Sequence, residues 1–224
     1  MEIEEYGLAK VLKPHIDDAE LRQVDSLEGD GSLTEFDYTD KAVRHLAVAE
    51  QALLGGRMSK VQTERVTFDQ VNLQSVLIAD CVLASSDWMD CALSRVVFRN
   101  CKILGANFVE NKWASVVFEN CRIEFATFDS VQATAPIVFI DTRFKDVTFR
   151  RSEFPGGHMA RCTLDDVEFD GGTYTDFDFR NNDLSTIRGA GNLNGVLIDP
   201  VQRQEIAEAL VSELDLRYPG RDEQ

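Results

Sequence analysis

From Phe68 onward a large apolar residue returns at every fifth position: Phe68, Leu73, Ile78, Leu83, Trp88, Leu93, Phe98, Ile103, Phe108, Trp113, Phe118, Ile123 and Phe128. In a chain that is 44% hydrophobic, such an unbroken run has a chance probability on the order of 2 × 10⁻⁵. Two residues before each stands a smaller one: Val66, Val71, Val76, Cys81, Ser86, Cys91, Val96, Cys101, Ala106, Asn111, Val116, Cys121 and Ala126, of which only Asn111 is out of character. A helix cannot use this period, because five steps of about 100° scatter the set around its axis. A flat strand cannot either, since an odd spacing alternates faces. The pattern fits a chain that takes a short extended step, turns a corner and repeats, with positions i and i−2 inward and i−1, i+1 and i+2 outward. Stacked repeats of this kind decide the whole fold, because each coil buries its apolar side only against its neighbours.

The register slips by one residue around Gln132–Val138, near Pro136. It resumes as Phe139, Phe144, Phe149, Phe154, Met159, Leu164, Phe169, Tyr174, Phe179 and Leu184, and a shifted match at Leu193 and Ile198 closes the array. Pro155-Gly156-Gly157-His158 is a weak stretch that reads as a bulge.

These residues resemble the pentapeptide-repeat family, whose pattern is a small residue, a polar residue, Leu or Phe, then two variable positions. Cys81-Val82-Leu83-Ala84-Ser85, Cys101-Lys102-Ile103-Leu104-Gly105 and Asn182-Asp183-Leu184-Ser185-Thr186 carry the resemblance, which covers roughly 64–198. It implies an all-β, right-handed quadrilateral β-helix with four repeats per coil and capped ends. At about 4.8 Å per coil, some seven coils make a rod of roughly 30–35 Å. Three segments follow: an irregular, helical N-terminal cap region over 1–60, the β-helix over 61–198, and a C-terminal helix and tail over 199–224. Asp40–Leu54 reads as a helix ended by Gly55-Gly56, with a short helix near Asp17–Val24. Asp199-Pro200-Val201-Gln202 reads as a capping sequence, Ile206, Leu210 and Leu214 form one helical stripe, and Tyr218-Pro219-Gly220 ends it. In well-known members of the family such an element mediates homodimers; the other reading is a lid on the last coil.

The formal net charge of −16 argues against nucleic acid as a direct ligand, because phosphate neutralisation needs a basic patch. It permits a basic protein partner. No apolar run approaches the roughly 20 residues of a membrane span, and Met1-Glu2-Ile3-Glu4-Glu5 is unlike a signal peptide, so a cytoplasmic location is the expectation. Neither a GxSxG elbow, a GKS/T phosphate loop nor an HExxH motif occurs, and His15, His45 and His158 are far apart. All five cysteines, Cys81, Cys91, Cys101, Cys121 and Cys162, take inward i−2 positions. They read as small core fillers rather than as disulfides or a metal site, with Thr142 filling one rung of the Cys81 column. No cofactor, no metal and no enzymatic activity are expected.

Every twentieth residue stacks, so outward residues sort by face. The first face bears Asp69, Asp87, Asp90, Glu110, Asp129, Glu168 and Asp170, broken by Arg150 and Arg151. The second is mostly neutral. The third carries an apolar outer column, Leu77, Val97, Val117 and Val138, which needs a cover, either the chain's own first 60 residues or a partner. The fourth carries Lys102, Arg122, Arg143 and Lys145 before turning acidic. Family members that protect DNA gyrase are thought to imitate DNA. The resemblance therefore implies a protein partner, DNA gyrase or topoisomerase IV, bound through the acidic face. The alternative is an interaction scaffold that uses the apolar column.

Overall fold

The computed structural model describes residues 2–29, 31–214 and 216. Strands dominate, and a right-handed solenoid of about seven turns is followed by one C-terminal helix. Solenoid strands pair only in parallel, each with the strand about 20 residues on: Val96 opposes Val116, and Leu83 opposes Ile103. The fourth and first faces form one bent sheet, and the second and third form another. Between the sheets lies a dry core in which rings stack like coins. Phe108, Phe128, Phe149 and Phe169 follow one another at centroid spacings of 4.9, 4.7 and 5.3 Å, and Phe98, Phe118 and Phe139 at 4.5 and 5.0 Å. Identical side chains at the coil spacing sit in the offset stack that aromatic quadrupoles favour.

The inward i−2 position is more than a filler. Cys101, Cys121 and Cys162 each point a thiol at the carbonyl 23 residues earlier, on the preceding coil, at 3.4, 3.4 and 3.5 Å. Thr142 reaches the same place across the slip, its hydroxyl donating to Phe118 O 24 residues back at 3.2 Å, and Asn182 does so through its amide to Met159 O at 2.7 Å. Asn111, the apparent exception, makes the same bond on the other such column, from Nδ2 to Trp88 O at 2.8 Å and to Val109 O at 2.8 Å. Where the residue on these columns carries a donor, as Cys, Ser, Thr and Asn do, it bonds the preceding coil, whereas Val61, Val71 and Val131 fill the same columns by size alone. The five cysteines are therefore free and buried, as fillers should be. Burial pushes the Cys91 thiol up to about 11 and the Cys162 thiol up to about 12, far from the thiolate a nucleophile needs. Among the described residues no group of ligands could hold a metal ion.

The one-residue slip lies where Pro136 suggested. Trp113 still opposes Ala133, yet Val116 opposes Ile137, so the extra residue is taken up between them. Pro155–His158 does not bulge. Val138 opposes His158 in unbroken register, and Gly157 occupies an inward position because Phe177 of the next coil fills its space: a Cβ there would lie 2.3 Å from that ring.

The N-terminal expectation is corrected. No helix forms over Asp40–Leu54 or Asp17–Val24. Strands Ala42–Ala49 and Ala52–Ser59 pair in parallel with the coils that follow, Arg22–Gln23 is a short strand, and the solenoid begins near residue 32 rather than at 61. The physical reason is that inward positions Tyr38, Val48, Leu53 and Met58 are buried in the common core, which outweighs the local helix-like spacing. Gly55-Gly56 is not a helix stop. Gly55 turns a corner at φ 61°, and Gly56 makes room for the Phe36 ring.

Two elements pack on the coils. A hairpin of β1 (Ile3–Tyr6) and β2 (Ala9–Leu12) lies along the third face. At the C-terminal end helix α1 (Gln202–Ser212) covers the last coil with Ala209 fully buried and Ile206 packed on the core. Its side chains satisfy the open sheet edge. Gln202 Nε2 donates to Phe179 O and Asn182 O at 3.0 and 2.7 Å, Glu205 accepts from Leu184 N at 2.9 Å, and Glu213 accepts from Gly189 N and Ala190 N. Half of the expected capping box forms, because Gln202 Oε1 accepts from Asp199 N at 2.6 Å while the Asp199 carboxylate instead accepts from Asn181 N. The expected stop at Tyr218-Pro219-Gly220 lies outside the described residues.

Candidate functional site

The seven carboxylates expected on the first face do share it, but on three parallel columns rather than one. Asp87 and Glu168 precede the inward aromatic position, Asp69, Asp129 and Asp170 follow it, and Asp90 and Glu110 turn the corner with φ of 52° and 55°. Asp tolerates this left-handed region better than most residues, which suits Asp90 to its corner, whereas Glu110 has no such preference.

Ion pairs then divide the face. Arg151 clamps Asp129 through two contacts from Nη2, at 2.6 and 2.8 Å, and holds its carboxyl below the usual range. Arg150 pairs with Asp170 at 3.1 Å, and Arg188 with Glu168 at 3.6 Å. Arg188 also reaches Asp166 on the adjoining corner at 3.6 Å, so three arginines offset most of the acid in the C-terminal half of the face. In the N-terminal half Asp69, Asp87, Asp90 and Glu110 have no cation within 4 Å among the described residues, Asp87 only accepting from Asn107 Nδ2 at 2.9 Å. Glu50 joins them. It stands exposed on the same corner column, its N–H bonded to Asp69 O on the next coil as Asp90 N–H is to Val109 O. Reading the solenoid as starting at 61 concealed it. The signal was present, since the five-residue spacing runs back from Phe68 through Met58, Leu53, Val48, Val43, Tyr38 and Leu33, with Thr63 the one interruption.

The apolar column of the third face is covered from within the chain. Ala9 and Val11 of the hairpin bury Val97, Val117, Val138 and Ile140, with Tyr6, Leu77 and Ala160 at the margins. Val117 and Val138 are 3% and 0% exposed, so as placed the column is not free for a partner. No backbone hydrogen bond among the described residues ties the hairpin to the coils; apolar contact holds it. Its tip meets a polar cluster in which His158 Nδ1 is 3.3 Å from the buried Asp178 carboxylate, itself paired with Arg180 at 2.7 Å. A Cβ on the tip residue Gly7 would lie 2.9 Å from the His158 ring.

The expected helical stripe is split. Ile206 packs inward, Leu210 is 39% exposed beside Val211, and Leu214, 59% exposed, lies beyond the helix end at Ser212. On the fourth face Lys102, Arg122 and Arg143 stack in register, but Lys145 lies one column over, opposite Glu124 and Asp165.

Five-residue edges stacked around a four-sided coil define the pentapeptide-repeat fold, and this chain has it. Among solved structures, a trypsin-treated variant of QnrB1, a plasmid-mediated fluoroquinolone resistance protein, is similar with a TM-score of 0.51 and 16% identity, covering 79% of this chain and all of that one. HetL, a pentapeptide-repeat protein involved in heterocyst differentiation regulation from the cyanobacterium Nostoc, gives a TM-score of 0.32 and 9% identity over 76% of this chain and 84% of its own. No protein-family model and no curated protein sequence matches. No helix among the described residues is long and apolar enough to cross a membrane.

Proposed function

We propose that this chain is a non-enzymatic protein that binds a type II topoisomerase, DNA gyrase or topoisomerase IV, through the N-terminal half of its first face, which presents charge as a DNA segment does, and that it protects the enzyme from inhibitors. The observation that carries this reading is the run of five carboxylates with no cation within 4 Å among the described residues, Glu50, Asp69, Asp87, Asp90 and Glu110, on four consecutive coils. Three coil spacings of about 4.8 Å span about 14 Å, along which one DNA strand presents about four phosphates and both strands about eight. The face thus matches one strand in density. The fold shared with QnrB1, a fluoroquinolone resistance protein, adds support, since quinolones act on these enzymes. The exposed Leu210, Val211 and Leu214 support a homodimer formed through the C-terminal helix.

The test is supercoiling by gyrase with added protein, with and without a quinolone. Wild type is expected to inhibit or to rescue, and a variant carrying Glu50→Lys, Asp87→Lys, Asp90→Lys and Glu110→Lys is expected to do neither while keeping its melting temperature. An effect that survives the four reversals, or no effect up to about 50 µM, an affinity weaker than about −6 kcal/mol, sinks the reading.

A further inference from the structure

In a chain of net charge −16, Lys102, Arg122 and Arg143 stand directly above one another on three consecutive coils. Like charges at this spacing repel unless an anion lies between them. Arg122 reaches the nearly buried Glu124, but Lys102 and Arg143 are exposed and have no carboxylate within 4 Å among the described residues. The three cations line one side of a cleft of about 340 Å³ whose other side is Asn100, Asn120 and Asp141. That wall offers no free acid. Asp141 is held by Arg161 at 2.7 Å, and the amides form a ladder, Asn120 Nδ2 donating to Asn100 Oδ1 at 2.8 Å and Asn100 Nδ2 to Asp80 Oδ1 at 3.0 Å.

The same face carries the one phenylalanine of fourteen that is not in the core. Phe125 is 61% exposed, whereas the other thirteen are buried. Its φ of 54° is an outlier for a bulky side chain, at a corner where the preceding coils place Gly105 and Ser85. Gly105 leaves an open step beside the ring, because a Cβ there would meet nothing closer than Ser85 backbone at 3.9 Å. Phe125 stands three residues along the chain from Arg122, about 10 Å at strand rise, with the column of Leu104, Glu124 and Lys145 between them. An aromatic edge on the face that carries a row of cations suits an anchored, charge-steered interface that spans both.

We propose that the fourth face, from Asn100 to Asp146, docks an extended acidic segment of a partner protein, its carboxylates over Lys102, Arg122 and Arg143 and one apolar side chain against Phe125 in the Gly105 step. A short acidic segment suits the face better than a nucleic acid, because every further phosphate is repelled by the rest of this acidic molecule. The surface is separate from the acidic first-face site, so either can fail alone.

The experiment is fluorescence anisotropy of a labelled ten-residue peptide with three acidic residues and one Leu among Gly and Ser, at low salt, against the full chain. Wild type is expected to bind with a Kd of roughly tens of micromolar, weakening as salt rises. The double variant Lys102→Glu, Arg143→Glu is expected to lose on the order of ten-fold or more, and Phe125→Ser several-fold. All three side chains are exposed or partly unpaired, so unchanged far-ultraviolet circular dichroism is expected and checks the fold. Absence of binding at about 100 µM, equal binding by the charge-reversed variant, or tighter binding of a single-stranded decanucleotide would each overturn the proposal. So would self-association in sedimentation that the same variants abolish, because the occupant would then be a second copy.

Discussion

Replacing Phe128 by Ala tests whether the ring stack is the spine of the rod. Phe128 is fully buried, stacked on Phe108 at 4.9 Å and Phe149 at 4.7 Å, with Trp113 edge-on at 5.8 Å and Phe139 at 6.4 Å. A Phe→Ala change in a core costs about 3–5 kcal/mol, and each aromatic pair adds about 0.5–1.5 kcal/mol beyond area burial. Two stacked neighbours on a stiff β scaffold, which cannot collapse into the void, place the expected loss at about 5 kcal/mol. In a solenoid each coil touches only its neighbours, so weakening one interface also loosens the coupling between the two halves. Urea unfolding followed in parallel by circular dichroism and tryptophan fluorescence reads both effects. The midpoint is expected to fall sharply, and the two probes to separate, because Trp113 borders the lesion and Trp88 lies N-terminal to it, so fluorescence reports that half of the rod while circular dichroism reports all of it. A loss below about 2 kcal/mol with coincident transitions would refute the spine, since a native core relaxes that well only where the ring was poorly packed.

Val11→Asp is expected to undock the hairpin without unfolding the coils, raising dye binding at the uncovered Val117 and Val138 strip while the strand signal persists; no change in dye binding, or global unfolding, contradicts that account. Gln202→Ala removes the side chain that caps Phe179 O and Asn182 O and is expected to cost about 2 kcal/mol and to speed amide exchange in the last coil only. For pH, burial pushes His158 below its ordinary value of 6.5, against the pull of Asp178. The unfolded chain therefore takes up this proton first, so this contribution to stability is full above about pH 7 and is lost as the pH falls below the unfolded value. A His158→Gln variant is expected to show a flatter stability profile between about pH 7 and 5, and an unchanged slope there removes His158 from the account. Burial alone would raise Asp178, but the guanidinium and N–H of Arg180 outweigh it and hold its carboxyl below the usual range. Its share of stability is present above the ordinary Asp value and disappears only as the pH falls further.

The five-residue period determined the coil, the inward columns and the place of the slip, because a repeat that must bury two residues in five leaves one backbone path. It also put Asn111 and the cysteines in one class once their position, not their polarity, is compared. The start of the coils was written in the same spacing but masked, since Lys41 and Gln51 break the small-residue column and Asp40–Leu54 locally imitates a helix. Face membership was legible at a separation of twenty. What only the tertiary structure decided is which charges survive. Arg150, Arg151 and Arg188 reach acids 20 to 22 residues away across the coils, so the arginines that interrupt the face in the sequence offset the acids of its C-terminal half and leave the N-terminal half unpaired among the described residues. Likewise the hairpin's place on Val97, Val117 and Val138 depends on packing without backbone pairing, and contact of that kind leaves no register in a sequence to read.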